Sequence, residues 1–180
     1  MTPELEVVCD VAGRLDAAAL PYMLTGSMCL AFYATPRMTR DIDVVIALHP
    51  GQTEKLTLAL QPHYMIDPEM MRLETARYGM FNVFHEATAI KVDFIIRKAD
   101  AYRLTEFERR RRVEIEGRPL WIVSREDLIL SKLAWAQESQ SDYQLRDVRA
   151  LLHGTFDRAY IESWIGDLGL LEIWKKVQQP

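Results

Sequence analysis

The stretch LTGSMCLAFYATPRMTRDIDVVI, Leu24 to Ile46, limits the fold more than any other part of the chain. Residues 22–25 form a short apolar run and predict a strand, which Gly26 and Ser27 close. Residues 27–35 predict a helix that stops before Pro36, because the residue ahead of a proline avoids helical backbone. Residues 41–48 are the strongest strand candidate, with Ile42, Val44 and Ile46 on one face.

That second strand opens on two negative charges. Alternate strand residues share a side, so Asp41 and Asp43 face the same way while Ile42 and Val44 face the core. Their Cα atoms would lie roughly 6.6 Å apart, from a rise of about 3.3 Å per residue. Carboxylates at this spacing can hold one or two hard cations. Alternatively they form a solvated edge, with Arg37 and Arg40 as counter-ions. The motif alone is compatible with both.

Gly26 and Ser27 bear on that choice. A Gly-Ser step between strand and helix lets a phosphate approach the backbone and aims N–H groups at an anion. By itself it is also an ordinary tight turn. A third carboxylate, Asp93, interrupts the apolar run IKVDFII, where an uncompensated charge is expensive. Lys91 lies on the same face, so Asp93 is either a ligand or half of an ion pair.

Elsewhere the pattern alternates between helix and strand. Residues 3–20 carry Leu5, Val8, Cys9, Ala12, Leu15 and Ala19 at helical spacing, behind Thr2 as cap and Pro3 in the first turn. Helices are expected over 50–60 and 67–76, then an antiparallel hairpin of 80–86 and 90–97. A basic helix over 100–112 leads into short strands at 113–116 and 120–123, and from Ser124 onward the pattern is helical. The expected fold class is α/β (α+β): a mixed sheet flanked by helices, with a core over 1–123 and a C-terminal helical subdomain over 124–180 packed on it.

Composition removes several function classes. The 180 residues are 49% hydrophobic and 27% charged with a net charge of −4, which argues against coating nucleic acid through bulk charge. Cys9 and Cys29 lack metal-ligand spacing and read as small buried hydrophobes in a reducing compartment. His49, His63, His85 and His153 are scattered, with no zinc spacing. The first residues carry acids where a secretory signal carries bases, and no apolar run reaches the ~18 residues of a membrane helix. The expectation is a cytoplasmic protein without a membrane partner. The run ERRRR, Glu108 to Arg112, reads as a solvated helix turn or as a grip on an RNA backbone or a triphosphate. The four tryptophans read as core.

Together, Gly-Ser, thirteen intervening residues, Asp-Ile-Asp and a later Asp93 resemble the signature of the DNA-polymerase-β-like nucleotidyltransferase superfamily. More narrowly, TRDIDVVI, the MFNVFHE–IKVDFII hairpin and the tail REDLILSKLAWAQ…QLRDVRALL resemble the abortive-infection (AbiEii-type) nucleotidyltransferase toxins. The resemblance implies an enzyme in which Asp41, Asp43 and Asp93 hold two Mg²⁺ ions, with Mn²⁺ as a substitute. Gly26, Ser27, Arg40, Lys132 and Asp147 would then bind the nucleotide, with Arg146 preceding Asp147 in the motif. The implied reaction moves a nucleoside monophosphate from a nucleoside triphosphate to a hydroxyl of a tRNA, a protein or a small molecule. The implied partners include an antitoxin or a separate recognition subunit. The competing expectation is a catalytically inactive module of the same fold that binds or regulates within a toxin–antitoxin-like pair.

Overall fold

The computed structural model describes residues 1–35, 39 and 41–179. Helix α1 (Pro3–Ala17) starts where its sequence says it should, with the Thr2 hydroxyl accepting from the Leu5 N–H at 3.4 Å and Pro3 in the first turn. Such a cap is worth about 1 kcal/mol. Its buried stripe is Val7, Val8, Val11, Ala12 and Leu15.

Among the described residues seven strands form one mixed sheet: β1 (Tyr22–Thr25), β2 (Ile42–Ile46), β3 (Tyr64–Met65), β4 (Met80–His85), β5 (Lys91–Ile96), β6 (Arg111–Ile115) and β7 (Arg118–Ile122), in the order β3-β4-β5-β2-β1-β7-β6. Strand β2 is central. It runs antiparallel to β1 and parallel to β5, and β4 returns antiparallel beside β5 as the hairpin pattern predicts. Helices α2 (Thr53–Leu60) and α3 (Pro68–Ala76) join α1 in a layer, with α3 against β4 and α1 against β7. That layer covers the face bearing Val44, Phe94 and Val83, all essentially inaccessible to solvent. Tyr64, on the same face, ties β3 to α1 by donating its hydroxyl to Asp10 at 2.7 Å.

Helix α4 (Ala101–Glu108) connects to the β6–β7 hairpin, and α5 (Arg125–Ser139), α6 (Asp142–Leu152), α7 (Arg158–Ile165) and α8 (Leu171–Gln178) complete the chain. One continuous apolar core runs from Val7 through to Val177. On the sheet face opposite α1–α3, β1 and β2 are covered, with Met23 and Val45 buried. Over β4 the same face is open, and Met80 (51% exposed), Asn82 and Phe84 look outward. Among the described residues no helix is long and apolar enough to cross a membrane.

Four sequence expectations change. The helix expected over 27–35 is a 3-10 helix, Ser27–Phe32, too short to gain from regular α-helical propagation. The strand expected from residue 41 starts at Ile42, leaving Asp41 just before it. The basic helix ends at Glu108, so ERRRR wraps no helix turn: Arg111 and Arg112 belong to β6, where they pair with Ile122 and Trp121. Arg109 and Arg110 are engaged internally, Arg109 against Glu126, Asp127 and the Tyr160 ring, Arg110 against Phe107 and Trp121. Of the tryptophans, Trp174 is core, Trp121 lies on a strand, and Trp135 is 49% exposed.

Candidate active site

The end of β1 shapes the site. Gly26 adopts φ +69°, a region where L side chains are strained, and a Cβ there would sit 1.9 Å from Asp43 Oδ2. The glycine therefore lets the backbone pass directly over the Asp43 carboxylate, which Thr25↔Asp43 pairing brings alongside it. Ser27, 9% exposed, follows as the first residue of the 3-10 helix.

Parallel pairing of β2 with β5 places Asp43 directly beside Asp93. Their side chains face away from the α1–α3 layer, yet both residues are buried, 8% and 6% exposed. Burial pushes the Asp43 carboxyl up to about 6, and the Asp93 and Asp41 charges add to it while Lys91 and Lys132 oppose it. Asp93 is only half satisfied. Its Oδ2 accepts from Lys91 Nζ at 2.8 Å, whereas its buried Oδ1 has no hydrogen-bond partner among the described residues. The same ammonium lies 3.5 Å from Asp41 Oδ1, and the Asp41 side chain is 65% exposed. The bond to Asp93 is the main cause of a raised Lys91 pKa.

Lys132 and Asp147 form a second, fully internal arrangement. Lys132 Nζ on α5 donates to Asp147 Oδ2 at 2.6 Å and to Gln144 Oε1 at 3.1 Å, both on α6. Lys132 is 1% exposed, and its positive charge is felt at Asp43. Arg146, the neighbour of Asp147 in the motif, turns outward over the Tyr143 ring. The Arg-Asp pair is thus split between surface and interior.

The structure brings Gly26, Ser27, Asp43 and Asp93 together, with Asp41 at their margin and Lys132, held by Asp147, near enough for its charge to act on Asp43. Arg40 lies outside the described residues, as do Arg37 and Pro36. Two contacts escaped the sequence: the reach of Lys91 to Asp41, and Asn82, paired with Asp93 across the hairpin and exposed on the same face. Both depend on strand register, which spacing within one strand does not reveal.

The donor set suits a hard divalent cation. It is all carboxylate oxygen, and Asp93 Oδ1 is a buried acceptor that no described residue uses. Among the described residues, however, no three His, Cys, Asp or Glu side chains stand together as a finished ligand set. Asp41 would have to turn inward to join.

No protein-family model and no curated protein matches the chain. Solved structures do. The structure of ANT(2'')-Ia in complex with adenylyl-2''-tobramycin is similar at TM-score 0.63 and 16% identity, covering 93% of this chain and 98% of that one. The lincosamide antibiotic adenylyltransferase LnuA, lincomycin-bound, gives TM-score 0.54 at 14% identity, covering 84% and 96%. JHP933 from Helicobacter pylori gives 0.51 at 15% identity, covering 97% and 78%. At these identities the likeness shows the fold: the chain has the mixed α/β architecture of nucleotidyltransferases.

Proposed function

We propose that this protein is a nucleotidyltransferase that moves a nucleoside monophosphate from a nucleoside triphosphate to an acceptor hydroxyl. The observation that carries the reading is the in-register pair of buried carboxylates, Asp43 and Asp93, pressed against the backbone of Gly26. Two like charges buried side by side are costly, and a site that binds cations with a polyanion gives them a use.

Asp43, Asp93 and an inward-turned Asp41 are the residues that would hold two divalent cations, Mg²⁺ or Mn²⁺. Such ions neutralise the triphosphate and lower the pKa of an attacking hydroxyl. The chain supplies the rest. Gly26 allows close backbone approach, so that phosphate oxygens can reach the N–H groups at Gly26 and Ser27. An Asp93 oxygen not engaged by a cation would accept the acceptor's proton. The acceptor oxygen bonds to the α-phosphorus, the bond to the β-phosphate bridge breaks, and pyrophosphate leaves. Lys132, with Asp147 orienting it from behind, contributes positive potential beneath the carboxylates. Most of the rate enhancement then comes from positioning and charge neutralisation.

For the acceptor, the similar structures holding adenylyl-2''-tobramycin and lincomycin favour a small-molecule hydroxyl over the tRNA or protein of the toxin resemblance. Thermal unfolding with each of the four ribonucleoside triphosphates, with and without Mg²⁺, tests the reading. At 100 times Kd a ligand adds about 2.7 kcal/mol of stability, a readily visible shift. Wild type should be stabilised by at least one triphosphate only with Mg²⁺, and Asp41→Ala, Asp43→Ala should lose the response. Wild type unmoved by every triphosphate would leave an inactive binding module as the better account.

A further inference from the structure

Lys91 opens β5 two residues before Asp93, so both side chains stand on one face of the sheet. Its ammonium bridges two of the three carboxylates, 2.8 Å from Asp93 Oδ2 and 3.5 Å from Asp41 Oδ1. It therefore stands in the place where a cation would be drawn. The arrangement is not closed. The Lys91 side chain is 34% exposed on a flexible four-carbon stem, and Asp93 Oδ1 beside it is buried and unused by any described residue. A lysine is well suited to this position because its compact ammonium can leave without dismantling a fork of fixed bonds.

We propose that Lys91 is an internal counter-ion, which occupies the carboxylate cluster in the unliganded protein and yields it to a divalent cation arriving with a nucleoside triphosphate. The inference rests on the nucleotidyltransferase reading and adds a coupling to it. A divalent cation alone must displace an ammonium that gains no new partner. A cation carrying a triphosphate brings phosphate oxygens that take up the released ammonium. Metal and nucleotide thus bind with positive coupling, each tightening the other by the same factor. No covalent bond changes in this step; one ion pair is exchanged for another.

Mn²⁺ binding followed by electron paramagnetic resonance tests this without any turnover. Wild type, Lys91→Met, Lys91→Gln and Lys91→Arg are titrated with Mn²⁺ alone and with Mn²⁺ plus an equimolar mixture of the four ribonucleoside triphosphates. Lys91→Met and Lys91→Gln should bind Mn²⁺ alone about tenfold tighter than wild type and gain less from added triphosphate. Lys91→Arg, which keeps the charge and can fork onto the carboxylates, should bind Mn²⁺ alone no tighter than wild type. If the neutral variants bind Mn²⁺ no tighter than wild type while triphosphate still improves binding, Lys91 is a surface ion pair only and the nucleotidyltransferase reading survives. If no form binds Mn²⁺ under either condition, both fall.

Discussion

Asp43 bears the electrostatic cost of the site, and the cost has a sign. Its folded carboxyl titrates at about 6, above the usual 3.8, so the folded state binds the extra proton between those values. A raised carboxyl contributes stability that is present below the unfolded pKa and lost as pH rises through the folded one. Roughly two pH units at 1.36 kcal/mol each put the loss at about 3 kcal/mol by pH 7.5, and about half of that by pH 5. Asp43→Asn should therefore raise the stability of the metal-free protein, and more so at pH 7.5 than at pH 5, in urea denaturation at both. Equal effects at the two values would mean that the carboxylate is solvated. The residues behind this argument were legible in the sequence: Gly26, Asp43 and Asp93 announce themselves by a turn before a strand and by charges in apolar runs. What spacing could not show was that Gly26 is held to glycine by Asp43 itself, or that Lys91 reaches Asp41, because both follow from how β1, β2 and β5 align.

Elements were legible where one period dominated. Helix α1, β2 and the β4–β5 hairpin fall close to their expected positions. Boundaries failed where local preference and tertiary pairing disagree, as at Arg111 and Arg112, which have helix-forming side chains yet are drawn into β6 by pairing with β7. Helices α5 and α6 show another limit, since periodicity marks Lys132 as one polar residue on a helix and cannot say that it is 1% exposed against Asp147. Breaking such a buried pair from one side strands the other charge and costs about 3–5 kcal/mol. Lys132→Met should lose that much in chemical denaturation, whereas Lys132→Met combined with Asp147→Leu should lose less than the sum of the two single changes. Additive losses would show that the two side chains do not depend on one another. The pair would then be two separate contacts between α5 and α6.

At the scale of the whole molecule, the helices after Ser124 are joined to α4 by more than apolar contact. Asp127 in the first turn of α5 is 0% exposed and is the meeting point. Ser124 Oγ and Arg109 Nε donate to its Oδ2 at 2.5 and 3.2 Å, and the Tyr160 hydroxyl on α7 donates to its Oδ1 at 2.7 Å. The Arg109 guanidinium lies 3.7 Å from the centre of the Tyr160 ring, and Trp164 meets Tyr102 edge-on at 5.2 Å. A carboxylate enclosed this fully cannot turn to water when one donor is removed. Tyr160→Phe should therefore cost about 1.5–3 kcal/mol, the range for a hydrogen bond to a charged group. The shared core from Val7 to Val177 determines how that loss appears. If sheet and C-terminal helices unfold together, fluorescence and circular dichroism should trace one coincident transition, and Tyr160→Phe should shift it without splitting it. An early transition confined to the helical signal, and moved alone by Tyr160→Phe, would instead make residues 124–180 a separately melting unit resting on the sheet.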